Sequence, residues 1–192
     1  MRTRFLAAVA AGTLGVLGPA GCTATPQSDD ASPASAASAS TSNPYGIGPI
    51  DPPAAGQPVL TLTGGSTPLS LTLDQLNALG STTITIDEPF VKLRETYRGV
   101  PLATVLQKAG IAETATIDTV GLDDYHYVST AKPMIESQAL IATECNGAPI
   151  PYDQGGPIRI VFPNGTPLSS LLDAWNWSLA SITVTSPGGA GS

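Results

Sequence analysis

The chain is poor in the residues that most often carry protein chemistry: it has two cysteines, one histidine and eight basic residues among 192. No Cys-x-x-Cys or His-Glu-x-x-His spacing typical of zinc sites occurs. A Gly-x-Ser-x-Gly nucleophile turn and a phosphate loop ending in Gly-Lys are also missing. With fifteen acidic residues, the composition disfavours nucleic acid and anionic lipid as partners. We therefore predict no metal site made of protein ligands alone and no catalytic residue.

The first 22 residues carry the pattern of an export signal. Arg2 and Arg4 give a positive start, an apolar run follows over 5–17, and small residues then precede Cys22. A cysteine in this position is typical of a lipoprotein, in which the thiol is acylated and anchors the chain. We predict a lipoprotein signal peptide over 1–21 and lipidation at Cys22, which places the protein on the outer face of a bacterial cell membrane. If the lipobox is not used, the protein is secreted instead.

Composition divides the remaining chain into three parts. Residues 22–57 are rich in Ser, Ala, Thr and Pro, which predicts a disordered tether, and 187–192 predict a disordered tail. Residues 58–186 are predicted to form one folded domain, which is large enough to bury its own core. Removal of the signal peptide leaves six basic and fifteen acidic residues, a formal charge of −9.

The apolar pattern of the domain predicts short strands and a few short helices. The clearest strand is 82–87, where apolar and polar residues alternate strictly. Thr72 and Gln75 form a capping-box pair, and a second helical face ends at Gly110. Strands and helices do not alternate, which favours an α+β fold with a mixed β-sheet over a doubly wound sheet. The predicted strands are 59–63, 69–71, 82–87, 93–98, 116–122, 125–129, 140–144, 158–162 and 179–185, and the predicted helices are 73–79, 101–109, 133–138 and 168–174.

Two isolated residues are candidates for reactivity. Cys145 ends a predicted strand beside Glu144, and a lone cysteine there is typical of a small buried residue; an adjacent carboxylate disfavours the thiolate. His126 is the single histidine, and it faces away from its two tyrosine neighbours in a strand. A hydrogen-bonded structural role and a role in binding both stay open for His126.

The segment from Gln154 to Arg159 is the best candidate for binding an anion. Gly155 and Gly156 let backbone N–H groups approach a ligand, and an arginine can form two hydrogen bonds with a phosphate. The alternative is a plain loop that leads into a core strand, with Arg159 paired to an acid. Trp175 and Trp177 share one face of an extended stretch, where they either line a pocket or cover the edge of the core.

Several motifs follow one another between residues 59 and 185. They are the Leu-x-x-Leu helix within 72–79, Arg98-Gly99-Val100-Pro101-Leu102, Asn146-Gly147-x-Pro149-Ile150, Gly156-Pro157-Ile158-Arg159-Ile160-Val161, and Trp177 followed by Ile182-Thr183-Val184. In this order they resemble the molybdopterin-binding domain of the sulfite oxidase family. The resemblance implies a sulfite-oxidase-like fold with a cleft. The candidate residues for that cleft are Arg98, His126, Gln154, Gly155, Gly156, Arg159 and Trp177.

The chain departs from that family at the residues that hold the cofactor. The resemblance places the family's metal-binding thiolate near Glu88, Pro89 and Phe90, none of which supplies sulfur. A histidine of the family corresponds to Gln154, and a basic residue corresponds to Asn176. In addition, Arg2 and Arg4 are not adjacent, so the signal indicates export of an unfolded chain, which carries no pterin.

These observations together predict a membrane-anchored lipoprotein with a molybdopterin-binding-like domain that is not catalytic. We expect it to hold no cofactor and to bind a small ligand or a partner protein in the inherited cleft. The alternative is a molybdopterin-dependent oxidoreductase, in which Cys145 would supply the missing thiolate.

Overall fold

The computed structural model describes residues 53–186, which contain ten strands and three short helices. The predicted signal peptide, the lipidation site Cys22, most of the predicted tether and the tail 187–192 lie outside the described residues. The strands are β1 Leu60–Thr63, β2 Leu69–Leu71, β3 Thr82–Asp87, β4 Arg94–Pro101, β5 Thr116–Gly121, β6 His126–Thr130, β7 Leu140–Cys145, β8 Ala148–Pro149, β9 Arg159–Val161 and β10 Leu179–Ser186. The helices are α1 Leu73–Asn77, α2 Leu102–Ala109 and α3 Ala131–Glu136.

The strands form two sheets around a shared core. The first has the order β2-β1-β10-β5-β6, in which β1 and β10 are parallel and the other pairs are antiparallel. The second has the order β3-β4-β7-β8, and β9 also pairs with β7. Buried apolar side chains from both sheets and from α2 join one hydrophobic cluster. The predicted α+β class with a mixed sheet is therefore confirmed.

Local sequence signals account for several of these elements. β3 spans 82–87 as predicted, and Ile86 is buried while its threonines face solvent. Both hydrogen bonds of the predicted capping box between Thr72 and Gln75 are formed at the start of α1. α2 buries four apolar residues on one face and ends at Gly110 in the left-handed conformation.

No helix among residues 53–186 is long and apolar enough to span a membrane.

Other elements differ from the prediction. The predicted helix over 168–174 is only a 3₁₀ turn at Leu172–Ala174, because the backbone N–H groups of Leu171, Ala174 and Trp175 bond carbonyls three residues earlier. β4 continues to Pro101 instead of ending at 98, because β7 pairs with its second half. β8, which consists of Ala148–Pro149, was not predicted because proline lacks the N–H that most strand residues donate.

Candidate functional site

Arg159 lies at the centre of the candidate site. It begins β9, pairs with Ala142 of β7, and its side chain is only 1% exposed. Its Nη2 donates to Glu88 Oε1 at 2.9 Å, and its Nη1 donates to the Gln154 carbonyl at 3.0 Å. Burial lowers the pKa of the guanidinium, and the nearby Glu88 carboxylate opposes this effect. The arginine of the predicted anion-binding strand is therefore already bound to an acid.

Glu88 follows β3, and its carboxylate is held by several donors at once. Oε1 accepts from Arg159, while Oε2 accepts from the backbone N–H groups of Phe90 and Val91, each at 2.7 Å. The side chain is fully shielded from solvent. Two backbone N–H groups and a guanidinium form the kind of environment that binds an external anion in many proteins. Here the protein's own carboxylate occupies it.

Aromatic rings fill the space beside this ion pair. The ring of Trp177 lies 4.3 Å from Arg159 Cζ, within the range of a cation–π contact. Phe90 contacts Trp177 and Trp175 edge to face, with ring centroids 5.3 and 6.2 Å apart. Trp175 in turn packs on Phe162 of the core, at 5.5 Å. The two tryptophans therefore connect the core to the loop that carries Glu88.

The glycine-rich loop packs against the same rings. Gly155 adopts φ +84°, and a Cβ there would lie 2.8 Å from Trp177 Cγ. A Cβ on Gly156 would collide with the Ile150 carbonyl. Internal packing requires both glycines, so their presence is explained without a bound ligand. The structure thus brings Gln154, Gly155, Gly156, Arg159 and Trp177 together, as the resemblance implies.

Arg98 and His126 lie elsewhere. Arg98 follows Tyr97 in β4, so its side chain points to the opposite face and forms an ion pair with Glu144 at 2.6 Å. His126 is in β6, half-exposed, and its Nδ1 is 2.8 Å from Asp118 Oδ2. Neither contacts Arg159 among the described residues, so the structure does not place these two candidates in the cleft.

Cys145 is close to the site but is not a poised thiolate. It pairs with Tyr97 across β4 and β7, and only 8% of the residue is exposed. Burial raises the pKa of its thiol, and the Glu95 carboxylate adds to the rise. The sequence predicted an adverse effect from Glu144, but Glu144 is paired with Arg98, and Glu95 exerts the effect instead. The Tyr97 hydroxyl donates to Glu95 at 2.6 Å, which joins the three side chains into one cluster.

Asn176, at the position where the resemblance places a basic residue, is fully buried. Its Nδ2 donates to the Thr119 carbonyl at 2.8 Å and so joins the segment between the tryptophans to β5. This is a structural hydrogen bond within the domain and supplies no positive charge.

Sequence reasoning missed Glu88 as the partner of Arg159 and Tyr97 as part of the site. The signal for Tyr97 was available, because strand alternation turns it to the face opposite Arg98. The Glu88–Arg159 contact joins residues 71 positions apart, and nothing in the local pattern of either segment indicates it.

Comparisons with known proteins agree with the fold. The model of the family described as "Oxidoreductase molybdopterin binding domain" matches residues 59–171. Among solved structures, the chain is similar to the sulfane dehydrogenase SoxCD from Paracoccus pantotrophus, with a TM-score of 0.54 and 19% sequence identity. This similarity covers 65% of the present chain and 37% of the SoxCD chain, and at this identity it concerns the fold alone. No curated protein matches the chain.

The residues at the site do not fit a molybdopterin cofactor. A carboxylate stands where the resemblance places the metal-binding thiolate, and its oxygens are engaged by three hydrogen-bond donors. Arg159, which would face an anionic group, is bound to Glu88 and Gln154 and is shielded from solvent. Phe90 packs edge to face on Trp175 and Trp177 beside this ion pair.

Proposed function

Because the chain belongs to the oxidoreductase molybdopterin-binding domain family, we propose that it is a lipoprotein that has kept the family's fold and not its redox chemistry. In this proposal Cys22 anchors the chain to the outer face of the cell membrane. The domain, at the end of its tether, binds a small ligand or a partner protein at the inherited cleft and catalyses no reaction.

The buried Glu88–Arg159 pair is the observation that carries the proposal. A cofactor with an anionic group would have to displace Glu88 from Arg159 and from the Phe90 and Val91 N–H groups. Separating a buried ion pair leaves an uncompensated charge, which costs about 3–5 kcal/mol. The aromatic rings of Phe90 and Trp177 would also have to move apart.

The position and reactivity of Cys145 give no support to the alternative, a molybdopterin-dependent oxidoreductase. A metal ligand must be a thiolate, and both burial and Glu95 raise the pKa of this thiol. The alternative predicts that Cys145→Ser abolishes activity and metal content, whereas the proposed function predicts that this substitution changes neither.

The cofactor content of the native protein tests the non-catalytic part of the proposal. Protein purified from its own membranes would be analysed for molybdenum by elemental analysis and for pterin by fluorescence after oxidative release. We expect neither at stoichiometric level, in the natural protein and in Cys145→Ser alike. Molybdenum near one equivalent per chain in the natural protein would overturn the proposal.

Membrane anchoring is tested separately with Cys22→Ser. We expect the natural protein to incorporate radiolabelled palmitate and to sediment with membranes, whereas the variant remains unlabelled and is not recovered with them. A variant that still sediments with membranes after a high-salt wash would show that Cys22 is not the anchor.

A further inference from the structure

Exposed apolar side chains are concentrated beside the buried Glu88–Arg159 pair. Among residues 53–186, five large apolar residues are exposed, and four of them lie on the two loops that meet at Phe90 and Trp175. We call these four the rim patch; they are Val91, Leu93, Leu171 and Leu172, between 42% and 61% exposed. The fifth, Val128, lies on β6. We propose that the rim patch is a docking surface for a partner protein that presents apolar side chains surrounded by Lys and Arg.

The loops that carry the rim patch are held in place. Glu88 fixes the first loop, since its carboxylate accepts from the N–H groups of Phe90 and Val91. The second loop is fixed by Trp175, whose backbone N–H donates to the Leu172 carbonyl at 3.1 Å and whose ring packs on Phe162. Apolar residues on a preformed surface lose little conformational freedom when a partner binds. An exposed apolar patch of this kind marks interaction sites more often than isolated exposed residues do.

The charge around the rim patch indicates the chemistry of the partner. Asp124, Asp153 and Asp173 are exposed, and none of the three forms an ion pair among the described residues. The Tyr125 hydroxyl donates to the Asp173 carbonyl, which places Asp124 and Asp173 on neighbouring loops. Asp153 lies two residues before Gly155, which packs on Trp177. Arg94 on the first loop is paired with Asp87, and Lys92 forms no ion pair among the described residues, so one unpaired cation stands against the three carboxylates.

These carboxylates favour a basic partner over a second copy or a membrane surface. Two copies of a chain with a formal charge of −7 repel each other when acidic loops face acidic loops. Anionic lipid headgroups would be repelled by the same carboxylates. A basic partner would be attracted and oriented, because complementary charge raises the association rate.

This inference rests on the proposed function, because it identifies the partner-binding surface of the same site. It would be tested in the source cells with the full lipidated chain, carrying the photo-crosslinker benzoylphenylalanine at Leu93 or Leu172. The matched control carries the crosslinker at Val128, which is exposed and apolar but lies away from the rim patch. Thermal unfolding of each variant would establish that the domain remains folded.

We expect one product of the same mass from Leu93 and Leu172 and none from Val128. Adding Asp124→Lys and Asp173→Lys should reduce its yield about tenfold, since like charges then face a basic partner. With the crosslinker at Leu93, the double change Leu171→Ser and Leu172→Ser should reduce the yield similarly without changing the charge.

Four results would overturn the inference: no product at the rim, an equal product at Val128, a product of twice the chain's own mass, or crosslinking to lipid alone. A product that the charge reversal leaves unchanged would contradict the basic partner. The molybdenum content of the protein distinguishes failure of the docking-surface inference from failure of the proposed function. A protein without molybdenum and without rim products refutes only the docking surface, whereas one equivalent of molybdenum refutes the proposed function.

Discussion

Two arginine–glutamate pairs in this domain have similar contact distances and very different surroundings. Arg159 is 2.9 Å from Glu88, and both side chains are almost completely shielded, at 1% and 0% exposure. Arg98 is 2.6 Å from Glu144, with 41% and 29% of the side chains exposed. Both arginines belong to motifs that resemble the same family, and only one lies at the cleft. The two ion pairs therefore differ in the burial of their side chains and not in their contact distance.

The difference also concerns access of solvent to the two guanidinium groups. Arg159 is positioned as the resemblance implies, but Glu88 and the Trp177 ring cover its guanidinium. In water an exposed pair such as Arg98–Glu144 exchanges readily with solvent and ions. A buried pair does not exchange without exposing an isolated charge to a medium of low dielectric constant.

Removal of the buried acid should produce the largest effect on stability. Glu88→Ala is expected to lower the free energy of unfolding by about 3–5 kcal/mol, because Arg159 would remain buried without a counter-charge. Urea denaturation measures this change. The double variant Glu88→Leu with Arg159→Met is the control, and it should recover part of the loss, because no charge remains buried although the Phe90 and Val91 N–H groups lose their acceptor. A loss below about 1 kcal/mol in Glu88→Ala would mean that the pair is not buried in solution.

A smaller effect is expected from the ring that covers the pair. Phe90 is half-buried, so Phe90→Ala should cost about 2 kcal/mol, less than the roughly 3–5 kcal/mol of a fully buried phenylalanine. Loss of the ring should also admit water to Trp175 and Trp177 and shift their fluorescence emission to longer wavelength. Val91→Ala, at the exposed neighbouring position, should leave the emission unchanged. An unshifted spectrum in Phe90→Ala would indicate that the rings do not close the cleft.

Alkaline pH should destabilise the domain through the cluster beside the site. Burial raises the pKa of Cys145 above its ordinary value of 9.0 and the pKa of Tyr97 above 10.0, so the folded chain keeps protons that the unfolded chain releases. Stability is then full below about pH 9 and falls as pH rises through the range between the unfolded and folded pKa values. Urea denaturation from pH 8 to 10.5 measures the slope. Cys145→Ser and Tyr97→Phe should each reduce the dependence of the unfolding free energy on pH. An unchanged dependence in both variants would show that neither Cys145 nor Tyr97 causes the alkaline loss of stability.

Removal of the partly exposed Arg98 should have the smallest effect. Arg98→Ala is expected to change the free energy of unfolding by less than about 1 kcal/mol, because exposed ion pairs contribute little. Glu144→Gln should behave in the same way, and 0.5 M NaCl should reduce both differences further. If Arg98→Ala lowered the free energy of unfolding by more than about 2 kcal/mol, side-chain exposure would not explain the different contributions of the Arg98–Glu144 and Arg159–Glu88 pairs.

The sequence predicted the parts of the fold that depend on neighbouring residues. The alternation over 82–87, the capping box at Thr72 and the glycine at the end of α2 each specify local backbone geometry, and each was found. The 3₁₀ turn at Leu172–Ala174 was predicted as a helix because the spacing of Leu168, Leu171 and Leu172 satisfies the helical pattern, whereas its backbone hydrogen bonds span three residues.

The site was predictable only in outline. The order of motifs indicated that Gln154, Gly155, Gly156, Arg159 and Trp177 belong to one cleft, and the structure brings them together. Whether that cleft is open depends on contacts between segments far apart in sequence, such as Glu88 with Arg159 and Phe90 with Trp177. Arg98 and His126 could not be placed by motif alone, since the strand face that each side chain occupies depends on pairing and register.

A crystal structure of the protein isolated from its own membranes, without refolding, would test the central claim most directly. We predict continuous density between the Glu88 carboxylate and the Arg159 guanidinium, with the rings of Phe90 and Trp177 in edge-to-face contact. Density for a pterin between Arg159 and Trp177, with Glu88 turned away, would contradict the claim that the protein's own side chains close the cleft.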